Sequence, residues 1–168
     1  LPLLQRYLSI SEKANGAEHP DTGNALGGLA TVYQETGDFT KAEPLAQRAW
    51  RIAATAGSPS LGWTAQGGLR EIYAKSHPDL AIWYGKQAVN TLQATRAVNR
   101  SLDEATQRSF VTKNSEAYSG LADLLFAQGR LIEGQRVLAM LKESEYFDFI
   151  ERDGPSDPRT SRAEDTER

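Results

Sequence analysis

Between positions 24 and 36 the apolar residues fall at Leu26, Leu29, Ala30, Val32 and Tyr33, the three-and-four spacing of one helical face. Gly37 closes the run where a left-handed cap is wanted. After the short connection QETGDF, a second helical pattern carries Phe39, Ala42, Leu45, Ala46, Ala49, Trp50 and Ile52. So short a link predicts two antiparallel helices packed as neighbours. The pattern then recurs. GGLATVY at 27–33 is matched by GGLREIY at 67–73, followed by Ala81, Ile82, Tyr84, Ala88, Val89 and Leu92. A third copy runs through 121–141, where Leu121, Ala122, Leu125, Gly129, Leu131, Gly134 and Leu141 stand 92 positions after Leu29, Ala30, Tyr33, Gly37, Phe39, Ala42 and Ala49. PLLQRYLSI at 2–10 and PLAQRAWRI at 44–52 repeat one surface 42 positions apart, so the opening segment reads as the second helix of a pair. No two-residue alternation occurs, so no strand is predicted, and the total comes to about seven helices.

Two features depart from this regularity. Arg70 takes the small-residue position held by Ala30 and Ala122, which predicts either a splayed helix pair or an arginine snorkelling outward along its stem. The spacing to the last copy lengthens to 52, and 102–129 has only one interior Gly and no Pro, predicting one long helix of ~40 Å with Ser101 as its N-cap. Beyond Ile150 the stretch ERDGPSDPRTSRAEDTER has no apolar residue but Ala163 and is read as a linker or flexible end, giving a repeat array over 1–150 and a tail over 151–168.

Composition narrows the function classes. Net charge is −3, with 19 basic and 22 acidic residues interspersed, so the basic face that nucleic acid requires is missing. No run approaches the ~18 apolar residues of a membrane span. The chain has no cysteine, which removes disulfides, thiolate zinc sites and cysteine nucleophiles and fits a reducing cytoplasm. It opens LPLLQRYLSI with neither Met nor a signal-peptide pattern, and this start is read as a cut inside a larger polypeptide.

Leu29, Ala30, Tyr33, Gly37, Phe39, Ala42 and Ala49 resemble, in order, the tetratricopeptide repeat. The 42-residue period resembles its longer variety, found in kinesin light chains. The resemblance implies an all-α, right-handed solenoid of antiparallel helix pairs, with alanines where paired helices touch and aromatics filling the gap to the next pair. It also implies a concave groove lined by the first helix of each pair. Carried over position by position, the outward residues are Asn24, Gly27, Thr31 and Gln34, then Thr64, Gly67 and Glu71, then Glu116, Ser119 and Asp123. Of these, Asn24, Thr31, Gln34, Thr64, Glu71, Glu116, Ser119 and Asp123 are the candidate partner-binding side chains. The set is neutral at the first repeat and acidic at the last, without the Lys/Arg/Asn clamp for a chain-terminal carboxylate. A ligand with Lys or Arg toward the acidic end is expected.

A second resemblance covers roughly 78–153. IWYGKQAVNTLQ at 82–93, LDEATQRSF at 102–110 and GRLIEGQRVLAMLKESEYFDFIERD at 129–153 look like the repeat region preceding the caspase-like CHAT protease domain of bacterial proteins. That likeness implies a regulatory or partner-recognition region, with the protease's His and Cys lying downstream.

Other candidate chemistry reads as structure. HPD occurs at 19–21 and 77–79; Pro sets a helix start and Asp complements its dipole, whereas a co-chaperone loop would need a context missing here. The two histidines have no H-x-x-x-H spacing, no G-x-S-x-G elbow or Walker pattern occurs, and Asn99-Arg100-Ser101 is read as a chance glycosylation triplet. The GGL glycines are read as letting neighbouring helices approach. Trp50, Trp83, Tyr33, Tyr73 and Tyr84 are read as packing residues. Trp63, at a first helix's opening turn beside polar residues, is the aromatic a ligand could reach, and it too is read first as a packing residue. The expectation is a scaffold without catalysis, cofactor or metal that binds a protein or peptide ligand. The alternatives are a fragment of a protease and a self-associating array.

Overall fold

The computed structural model describes residues 1–98 and 104–150, with side chains defined except at 104–108, 111, 113 and 143–150. Seven helices follow one another: α1 Pro2–Asn15, α2 Pro20–Glu35, α3 Phe39–Ala56, α4 Pro59–Tyr73, α5 Pro78–Val98, α6 Glu104–Ala127 and α7 Leu131–Ile150. No strand occurs among the described residues. The fold is an all-α helical-repeat solenoid, as the periodicity predicts. Ser101, the glycosylation triplet and the tail over 151–168 fall outside the described residues.

Local chemistry sets the boundaries. Proline opens α1, α2 and α4, where its missing N–H belongs to the unbonded first turn, and Pro78 opens α5. His19 caps α2 by accepting from Asp21 N at 3.2 Å, so the first HPD is a helix start. Asp38 caps α3 by accepting from Lys41 N at 3.3 Å. Gly37 and Gly129 turn the chain at φ 77° and 72°, in the left-handed region that a side chain disfavours.

The apolar stripes close into a core that passes from pair to pair. Leu26, Ala49, Ile52, Leu61 and Ala65 join α2, α3 and α4. Ala30, Ala42, Ala46, Leu69, Tyr73, Ala81 and Tyr84 join α2 through α5, and Leu92, Tyr118, Leu121, Ala122, Leu125 and Val137 continue into α6 and α7. Each element therefore buries its stripe against sequence neighbours, the quasi-linear arrangement of stacked repeats. The interior alanines do what the pattern requires: Ala30 and Ala42 are 3% and 0% exposed.

Several expectations are corrected. Phe39 and Trp83, both read as packing residues, are 42% and 44% exposed: Phe39 opens α3 ahead of the core layer, and Trp83 falls off the α5 face that buries Ala81, Ile82 and Tyr84. Trp83 still makes an edge contact with Trp50 at 6.1 Å, and Tyr84 stacks on Tyr73 at 5.8 Å. Gln47 lies outside the apolar stripe of α3, which predicts a free outer face, yet it is half-buried and donates to Glu43 Oε1 (3.0 Å) and to the Tyr73 hydroxyl (2.9 Å). Tyr73 in turn donates to Glu43 Oε1 at 2.6 Å. Burial first, and the Glu43 hydrogen bond second, push the Tyr73 phenol up to about 12.

The GGL glycines divide their work. A side chain at Gly27 or Gly67 would meet nothing, so neither sets a helix–helix distance. Their neighbours receive a side chain from the preceding repeat: Leu4 lies against Gly28, and the Gln34 amide lies over Gly68, donating to its carbonyl at 2.8 Å.

Candidate binding groove

The site grows out of Arg70. Splaying of its helix pair is not seen, since α4 and α5 pack as closely as α2 and α3. Nor does the side chain snorkel to solvent: it is 10% exposed. Two glycines make this possible. A methyl on Gly85 would press the Arg70 stem and the Leu121 side chain, and a methyl on Gly120 would collide with the guanidinium. Position 85 corresponds to Ala46 in the previous pair, so one missing methyl opens the channel through which the arginine crosses from α4 toward α6. There Nη1 donates to the Glu116 carbonyl at 3.4 Å and Nη2 to Glu71 Oε1 at 3.1 Å.

Beside it lies a cavity of about 260 Å³ on the side of the first helices. Thr31 and Gln34 of α2 form one wall, and Trp63, Thr64, Gly67, Gly68, Arg70 and Glu71 of α4 form the base. Gly85 and Ala88 of α5, with Asn114 and Ala117 of α6, complete it. Small residues at five of these positions keep the space open. Trp63 is held by an edge-on contact with Phe110 (centroids 5.6 Å, 89°), so it both packs and faces the cavity.

Of the residues expected in a concave face, Thr31, Gln34, Thr64, Gly67 and Glu71 come together here. Asn24, Glu116 and Asp123 are exposed and Ser119 is half-buried, but none of the four lines the cavity. Gln34 is engaged with Gly68, and Glu71, expected to lack a basic partner, is paired with Arg70. Arg70, Asn114 and Ala117 were not anticipated; the arginine's departure from the repeat rule was the available signal.

Residues 1–55 and 115–140 each match the tetratricopeptide repeat family. The chain carries tetratricopeptide repeats. The first tetratricopeptide match covers α1 through most of α3, and the second covers the end of α6 with the start of α7. No curated protein matches the chain. Tetratricopeptide repeats generally mediate protein–protein interaction. Among the described residues no helix is long and apolar enough to cross a membrane, and no group of three or more His, Asp or Glu is placed to hold a metal ion.

Proposed function

We propose that the chain is a non-catalytic interaction module whose groove of first helices, α2, α4 and α6, takes an extended segment of a partner protein. The observation that carries this reading is the cavity at the junction of three repeats, where polar side chains surround Trp63 over a base of glycines. Asp123 and Glu116 leave the α6 end acidic, which favours Lys or Arg in the ligand there. Thr31, Thr64 and Asp123 are exposed, so a Thr31→Lys, Thr64→Lys, Asp123→Lys variant should keep its helicity. Capture of partners from lysate by the wild type, lost in this variant and weakened by salt, is the expected outcome. Equal capture by both would move binding off the groove and favour self-association.

The likeness of 78–153 to regions preceding CHAT protease domains supports a cytoplasmic, bacterial setting in which the module regulates or supplies such a protease. The full reading frame tests this: a protease domain with a His and Cys pair encoded downstream supports it, and its absence overturns it.

A further inference from the structure

We propose that the cavity is a carboxylate site, in which the Arg70 guanidinium receives the acidic side chain of a Glu or Asp in the bound partner segment. This rests on the groove reading above and adds the chemistry of its centre. Among the described residues Arg70 is the only cation lining the cavity, and it is nine-tenths buried. A guanidinium presents a planar fork of donors that matches a carboxylate bidentately. Here the fork is incompletely used: one long bond reaches the Glu116 carbonyl and one reaches a single oxygen of Glu71. Glu71 adjoins Arg70 in sequence and its side chain is 51% exposed, so it sits at the rim as a displaceable internal carboxylate.

The repeat rule makes the placement specific. The same position is alanine in the other two pairs, and only in this one do Gly85 and Gly120 clear a path that delivers a charge to the groove. A sequence that departs from its own packing rule twice, in compensating ways, is the pattern expected at a functional position. Trp63, Thr31 and Thr64 around the fork give the stem of an incoming Glu an apolar wall and its backbone polar partners. An acid at this point and a base toward Asp123 together describe a ligand of mixed charge.

The test is NMR of the full ¹⁵N-labelled chain, following the Trp63 indole and Arg70 Nε signals during titration with N-acetyl-glutamate N-methylamide, its glutamine and lysine analogues, and N-acetylglycine. The glutamate probe should shift both signals saturably, with the glutamine probe about tenfold weaker, the scale of one charge-assisted pair. Arg70→Ala, which restores the alanine of the other pairs, should abolish the response, and Arg70→Lys should weaken it. Glu71→Gln, which removes the internal competitor, should tighten it. Equal response to glutamate and glutamine, preference for lysine, or weaker binding in Glu71→Gln would overturn the proposal. Tighter binding of N-acetylglycine would overturn the side-chain assignment in favour of a chain end. If the groove variant above loses its partners while the glutamate probe leaves both signals unmoved, the groove reading stands and this one fails; if the probe binds but the groove variant keeps its partners, the groove reading fails and the assignment of the carboxylate to a partner segment falls with it.

Discussion

The pairs α2/α3 and α4/α5 are built on one plan and solve one contact differently. In the first, Ala30 meets Ala42 and Ala46, all nearly inaccessible, and the helices close through small side chains. In the second, Arg70 stands in Ala30's place and Gly85 in Ala46's, yet the pair is as tight. Close packing between helices thus constrains the bulk at the point of contact, where one missing methyl lets the arginine stem pass, more than the identity of either residue. What changes is the space beyond. α2 packs against α4, whereas α4 and α6 share less contact, and the cavity and guanidinium occupy that gap.

The sharpest way to break this comparison is to transplant the arginine alone. Ala30→Arg would find Ala46 where Gly85 should be, and Gly68 already covered by the Gln34 amide. A loss of about 3 kcal/mol or more is expected, read as a fall in urea midpoint, because an overpacked stem and an unhoused charge add together. A midpoint within error of the wild type would show that the glycines are not what houses Arg70.

Ala42→Leu probes the same contact without charge. With Ala42 at 0% exposure, the extra carbons should cost ~1–3 kcal/mol through overpacking against α2.

Gln47→Ala tests the polar seam between the two pairs. Removing donors to Glu43 and Tyr73 should cost about 1 kcal/mol. No change would return Gln47 to a free outer face.

The phenol beside it predicts an alkaline limb. Its folded value near 12 lies above the ordinary 10, so the associated stability is complete below pH 10 and is lost as pH rises toward 12. Tyr84 and Tyr118, also pushed up by burial, act in the same direction. In Tyr73→Phe, thermal melts across that window should fall less steeply than in the wild type.

The smallest effect should come from Arg70→Ala. Its ion-pair partner Glu71 is half-exposed and the space left behind opens into the groove, so a change within about 1 kcal/mol is expected by urea titration. A much larger loss would make the arginine a stability element and weaken the contrast between the pairs.

The helices, their order and most of the interior were legible in the chain, because helical spacing and repeat phase are properties of neighbouring positions. Leu29, Ala42, Leu69 and Leu121 were placed by period alone, and all are buried. Of the candidate site, Thr31, Thr64 and Glu71 were reachable through the tetratricopeptide resemblance, whose outward first-helix positions carry over onto them. Tertiary structure alone decided the rest. Whether Arg70 turns outward or crosses to α6 depends on Gly85, 15 positions away, and Gly120, 50 away. Whether Gln47 is free depends on a tyrosine of the next pair. Such outcomes hinge on which backbone lies opposite and how much room it leaves, and periodicity along a single helix carries no information about that.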